Sequence, residues 1–225
     1  MFYPGCLPLI AVLALLVLLP LFFAQLMVTA VSKLGLHPQL ALLVLLGILF
    51  GGSINIPLKR IPREEEYVVD PFMLFGFGQI FPRLRTVRSY TTLAVNIGGC
   101  LIPSAIALYE CLRVLGRGPA AVLVLVIATV LNVGVCYRLA KPIHGLGIAL
   151  PALIPPVTAA VPSVLLAPDF APPIAFVAGV LGPLIGADLL HLRDIKHVAT
   201  GMASIGGAGT FDGIVLSGLI AAFLA

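Results

Sequence analysis

Tryptophan is absent, and only 10% of the 225 residues are charged, where a soluble domain carries about 25%. A water-facing globule of this size is excluded, because its surface needs polar groups that the chain does not have. Without tryptophan, an interfacial belt must be built from Tyr, Phe, Lys and Arg. Cysteines are few: Cys6, Cys100, Cys111 and Cys136, all in or beside apolar stretches. None has the C-x-x-C spacing of a zinc or redox site, so they read as small buried hydrophobes rather than a disulfide framework. His37, His144, His191 and His197 sit at the ends of apolar runs, and no His, Cys and Asp spacing here makes a metal site; neither a metal nor a cofactor is expected. No serine lies in a Gly-x-Ser-x-Gly elbow, which sets aside the hydrolases built on that turn.

What is present is apolar. Hydrophobic residues make up 60% of the chain, and the mean hydropathy is +1.17. Lipid is the solvent this composition suits, and membrane lipids are the expected partners. Apolar runs fall at about 7–31, 38–55, 91–112, 118–137, 145–166, 171–190 and 200–224. Each approaches the roughly 20 residues that a hydrocarbon core of about 30 Å requires. Uninterrupted runs satisfy their backbone as helices in lipid, so the sequence predicts an all-α polytopic membrane protein, a single domain over 1–225 with about seven spans. The first run lacks an N-terminal Lys or Arg and a small-residue cleavage site, and is read as a retained span rather than a signal peptide. Pro20, Gly51-Gly52, Gly98-Gly99, Pro103, Pro151, Pro155-Pro156 and Gly206-Gly207 interrupt the runs. Such breaks are tolerated only against protein or a watery cavity, so several interrupted helices are expected.

The net charge of +4 does not point to nucleic acid, because its Lys and Arg residues lie between the apolar runs. Six of the thirteen fall in the one sizeable polar segment, 56–90, where Tyr67-Val68-Val69 and Phe72–Phe81 flank the turn pair Asp70-Pro71. A small cytoplasmic hairpin or loop is expected there. With seven spans, ten of the thirteen Lys and Arg fall on the side of the N-terminus; Lys33, Arg113 and Arg117 fall on the other. The positive-inside rule then places the N-terminus in the cytoplasm and the C-terminus outside.

An ionisable group inside an apolar span costs several kcal/mol and is a functional hypothesis by default. Two such groups stand out: Asp188, in Gly186-Ala187-Asp188-Leu189-Leu190, and Asp212, behind Gly206-Gly207-Ala208-Gly209-Thr210-Phe211. Glu110 beside Arg113 reads as a snorkelling surface pair at a span end. Asn96, Asn132 and Ser204 are expected to hydrogen-bond between helices. On antiparallel spans, Asp188 would lie about 6–12 Å and Asp212 about 15–18 Å below the cytoplasmic boundary, at 1.5 Å per residue. These depths let the two carboxyl groups meet. Two carboxyl groups in one low-dielectric site share a proton: one acts as general base on water, and its protonated partner serves as the acid. Glycines at 206, 207 and 209, with Thr210, would let a substrate backbone approach closely.

These residues resemble the GxGD intramembrane aspartyl proteases: presenilin, signal peptide peptidase and the prepilin-peptidase relatives. The resemblance rests on Asp212 behind Gly207-Ala208-Gly209, on Asp188 one span earlier, and on Pro151-Ala152-Leu153, matching the Pro-Ala-Leu that lines those active sites. Asp212 follows Gly209 by three residues, Ala187 stands where those proteases carry Tyr, and Pro-Ala-Leu precedes the aspartates, implying a permuted order. The resemblance implies catalysis by Asp188 and Asp212, with Gly206, Gly207, Gly209, Thr210, Pro151, Ala152 and Leu153 holding a transmembrane peptide substrate. The chain also resembles a family of small prokaryotic membrane proteins known as a domain of unknown function. Gly186-Ala187-Asp188-Leu189-Leu190 and Gly206-Gly207-Ala208-Gly209-Thr210-Phe211-Asp212-Gly213 look like its signature segments, which implies an inner (plasma) membrane location. Two alternatives stand beside proteolysis. The aspartates would carry a proton or cation in a transporter or channel. In a non-enzymatic scaffold, Asp188 would pair with His191 or Arg193 and Asp212 would cap an unwound glycine turn.

Overall fold

The computed structural model describes residues 7–62, 66–68, 85–87, 90–143, 147–195 and 200–225. Seven α-helices lie among them: α1 (Leu7–Lys33), α2 (Pro38–Gly51), α3 (Ile102–Leu115), α4 (Pro119–Leu139), α5 (Ile154–Leu166), α6 (Ala171–Leu181) and α7 (Gly213–Leu224). Two are extended by wider π-helical turns, Ile97–Leu101 leading into α3 and Gly182–Leu189 continuing α6. Four stretches are long and apolar enough to cross a membrane: Val12–Lys33, Ile97–Leu115, Pro119–Leu139 and Pro168–Leu189. Large apolar side chains face outward along these and neighbouring helices, with Leu16 at 67%, Phe50 at 69% and Leu165 at 73% exposure. Only lipid accommodates so much exposed apolar surface. The chain is an integral membrane protein.

The other three helices differ from the expected full spans. α2, α5 and α7 have 14, 13 and 12 residues, about 18–21 Å of helix against a core of about 30 Å. α2 ends, and α5 and α7 begin, on the same side of the bundle, where strands and turns take over. Residues 55–62 form β1 (Asn55–Pro62), and 90–96, expected to open a helical span, form β4 (Tyr90–Asn96). Residues 202–205, also expected to be helical, form β7 (Met202–Ile205). These make one sheet in the order β1-β4-β7, with β1 antiparallel to β4 and β4 parallel to β7. The fold is therefore helical with small mixed sheets rather than all-α. Thr91, Thr92 and Val95 favour a pleated surface, and an apolar run this short does not distinguish strand from helix by periodicity.

Two small ladders complete the extended structure: β2 (Glu66–Val68) with β3 (Arg85–Val87), and β5 (Lys141–Ile143) with β6 (Gly147–Ala149). The first falls within the expected hairpin, but its expected second strand at Phe72–Phe81 and its turn Asp70-Pro71 lie outside the described residues. Cys6, His144 and His197 also lie outside them.

α6 is the centre of the bundle, with Ile174, Ala175, Phe176, Val177 and Val180 all buried. Small residues let its neighbours approach: a Cβ at Gly179 would stand 2.7 Å from the Ser217 carbonyl of α7. Asn132 of α4 donates to the Ala178 carbonyl at 2.9 Å, the interhelical bond expected of it. On the side away from the sheet, Lys33 donates to the Phe223 carbonyl at 2.7 Å, and Arg113 donates to the Leu34 carbonyl and to Glu110. Glu110 is not a surface partner as expected. It is fully buried, held by Arg113 at 2.8 Å.

The glycines at the helix ends lie backbone against backbone. A Cβ at Gly99 would collide with the Gly206 carbonyl, whereas one at Gly134 on α4 would meet nothing within 4 Å. Gly99→Ala is expected to cost on the order of 1–3 kcal/mol by overpacking, and Gly134→Ala to leave stability unchanged. Thermal unfolding of the two variants in detergent checks the contrast.

Candidate functional site

Asp188 stands in the π-helical continuation of α6. Pro183 has no N–H to close a normal turn there, and Gly182 and Gly186 allow the widened turn to press on Asn132 and Cys136 of α4. A π turn inserts one residue and so turns the following side chain to a new face. Asp188 thereby reaches the sheet side of the bundle, where the backbone N–H of Gly206 donates toward its carboxylate.

Asp212 reaches the same place from the other direction. β7 ends at Ile205, and the chain reverses through Gly206 (φ +71°) and Gly209 (φ +61°), conformations that favour glycine. A short 3₁₀ turn, Gly209–Phe211, then delivers Asp212 to the N-cap of α7. One carboxylate oxygen accepts from the Ile214 N–H at 2.9 Å and the other from the Ala208 N–H at 3.3 Å.

Asp188 and Asp212 line one cavity of about 320 Å³, near enough for their charges to interact. Its walls come from all three connections on the sheet side: Asn55 and Leu93, then Gly147 and Ile148, then Leu192, Ile195, Thr200, the β7 residues, Gly207 and Ala208. β7 forms the wall itself, with Met202, Ala203, Ser204 and Ile205 all facing the space. Among the described residues β7 is also the last strand of its sheet, with no strand paired along its outer edge.

The remaining expected site residues divide. Gly207 lines the cavity with Ala208, and Gly206 serves Asp188 through its amide. Gly209 packs on Gly52, and Thr210 lies in the 3₁₀ turn; neither lines the cavity. Pro151, Ala152 and Leu153 are exposed at the bend before α5 and do not line it either. A Cβ added at Gly213, beside Asp212, would stand 3.9 Å from the side chain of Leu150, the residue before Pro151. His191, considered as a partner for Asp188, instead bonds the Gly186 carbonyl at 3.0 Å and lies against the Tyr137 ring at 5.0 Å. Among the described residues no group of three His, Cys, Asp or Glu is placed to hold a metal.

Asn55, which sequence reasoning did not single out, joins Asn96 and Ser204 in a polar cluster at the cavity wall. Asn96 accepts from the Gly99 N–H at 2.7 Å and donates to the Gly52 carbonyl at 2.7 Å and to Asn55 at 3.1 Å; Ser204 donates to Asn55 at 2.6 Å. Asn96 and Ser204 were expected to join helices; they join strands instead. Asn55 falls at the start of a polar stretch, and only the pairing of β1 with β4 brings it to the site.

Residues 49–224 match the family model DUF1614, described as a protein of unknown function. The chain belongs to the DUF1614 family. No curated protein and no solved structure matches it. The match takes in all of the described cavity-lining residues, from Asn55 to Asp212.

Asp212→Ala would remove the α7 cap and is expected to cost about 1 kcal/mol, whereas Asp212→Asn keeps an acceptor for the Ile214 N–H, loses the longer bond from Ala208, and should cost less. Unfolding midpoints of the two variants, compared with wild type, measure the capping contribution apart from any chemistry.

Proposed function

We propose that this DUF1614 protein is an intramembrane aspartyl protease in which Asp188 and Asp212 hydrolyse a peptide bond. One observation carries the reading: two carboxyl groups from separate elements line the same cavity, and β7, the outer strand of its sheet among the described residues, forms part of the wall. A free strand edge is suited to an extended peptide, which adds main-chain hydrogen bonds while its side chains enter the space alongside. One carboxylate takes a proton from a water molecule as its oxygen attacks the scissile carbonyl carbon. The protonated partner gives its proton to the carbonyl oxygen. Collapse of the resulting diol breaks the C–N bond, the amine leaves with a proton, and the pair returns to its single shared proton.

Two further features support this reading over coupled transport. The cavity is walled by connections from one side of the bundle, as one-sided water entry requires. The resemblance of Gly207-Ala208-Gly209 with Asp212 to the GxGD proteases points to the same chemistry, while the exposed Pro151-Ala152-Leu153 contributes no cavity wall. A second reading has its own observation: Asp212 is a helix cap, which is a structural duty.

The test separates the two. The purified chain is reconstituted in liposomes with fluorescent single-span peptides, and products are identified by mass. Asp188→Asn and Asp212→Asn, both expected to fold, should each lower the cleavage rate by about 10²–10⁴-fold. Cleavage at the wild-type rate in either variant would overturn the dyad.

A further inference from the structure

We propose that Asn55 is a substrate-binding residue whose side-chain N–H₂ donates to a backbone carbonyl of the extended peptide beside Asp188 and Asp212. This rests on the protease reading and names a contact that the reading alone does not supply.

The orientation of Asn55 follows from its neighbours. Asn96 has no freedom: its Oδ1 accepts from the Gly99 N–H, and its Nδ2 donates to the Gly52 carbonyl. Because a backbone N–H only donates and a backbone carbonyl only accepts, the Asn96 amide is fixed in one sense. Its second Nδ2 hydrogen is directed at Asn55, 3.1 Å away, so the atom facing it must be the acceptor Oδ1. The Ser204 hydroxyl donates to the same oxygen at 2.6 Å. Both lone pairs of Asn55 Oδ1 are therefore taken, and its Nδ2 is left to face away from the cluster.

That donor has no acceptor among the described residues. Asn55 lines the cavity that holds Asp188 and Asp212, as does Ser204, its anchor on β7. A donor held rigid at both of its oxygen's lone pairs loses little entropy on binding, and a peptide carbonyl is the acceptor an extended substrate supplies at every residue. The two aspartates act on the scissile bond; Asn55 would fix the peptide's position within the cavity they line.

The experiment uses a capped, uncharged peptide containing statine, whose hydroxyl-bearing carbon imitates the tetrahedral intermediate. Its affinity for the detergent-solubilised full chain is measured by calorimetry. A set of related probes each has one carbonyl reduced to methylene. Wild type is expected to bind, Asp188→Asn/Asp212→Asn to bind at least tenfold more weakly, and Asn55→Asp about tenfold more weakly, the size of one hydrogen bond. Asn55→Asp keeps the acceptor that Asn96 and Ser204 need; Asn55→Ala is the uncharged second variant. Reduction of one particular carbonyl should weaken binding to wild type and leave binding to both Asn55 variants unchanged. If the aspartate variant binds as wild type does, the protease reading fails and takes this assignment with it. If that variant loses the probe while both Asn55 variants retain it, the assignment alone is overturned. It is overturned as well if every carbonyl reduction costs the same in wild type and in the Asn55 variants, since Asn55 would then only support the fold.

Discussion

Glycine backbones touch at three points where helices give way to strands: Gly51 against Gly98, Gly99 against Gly206, and Gly52 against Gly209. These contacts join the end of α2, the π turn before α3 and the turn between β7 and α7. A methyl group at Gly99 or Gly206 would push the strands apart and withdraw the Gly206 amide from Asp188. Such close contact leaves backbone groups that helices can no longer satisfy, and lipid offers no water to replace the lost bonds. Asn96 meets part of that need, taking the Gly99 N–H and the Gly52 carbonyl with one side chain. The sheet, the turn and the cavity all rest on this junction.

The membrane character, the number of helices and the two aspartates were all legible in the sequence, because each is a local property. An apolar run of 21 residues such as Pro119–Leu139 can hardly be anything but a helix in lipid. Asp188 and Asp212 stand out because the apolar stretches around them hold so few other ionisable groups. The strands were not legible. β4 pairs with β7 in register Thr92 to Met202, and a partner more than a hundred residues away leaves no trace in local periodicity. Asn55 was invisible for the same reason, since its importance comes from Asn96 and Ser204, which meet it only after the sheet forms. Pro151-Ala152-Leu153 shows the opposite error: a motif legible in three residues lies at an exposed bend, outside the cavity wall.

Sidedness follows from the path of the chain. The connections after α2, α4 and α6 carry every described strand and most of the cavity wall, whereas Lys33, Arg113 and Phe223 meet at the opposite end. Helices alternating in direction bring every second connection to the same side, so the strands collect there by topology. Because α2, α5 and α7 are short, the chain reaches that side partly as extended structure. A polar cavity can then sit deeper than the helix ends of a regular bundle would allow. Irregular backbone at such a depth is tolerable where it is enclosed by protein or faces water, and the cavity supplies that second condition.

Asp212 serves at once as helix cap and cavity wall, and these duties are compatible. Capping fixes the carboxylate by bonds to the Ile214 and Ala208 amides, yet each oxygen has a second lone pair. A cap therefore holds the group still without using up its capacity to bind water or share a proton. Asp188 is held by different means, through a π turn set by Pro183 and the glycines around it. Two carboxyl groups positioned by independent elements keep their relative placement only if those elements are locked together, and the Gly99–Gly206 contact beside β7 is the nearest lock. Rigidity of that kind costs close packing and left-handed backbone at Gly206 and Gly209. In the protease reading proposed above, two carboxyl groups that share one proton across a substrate depend on that fixed spacing.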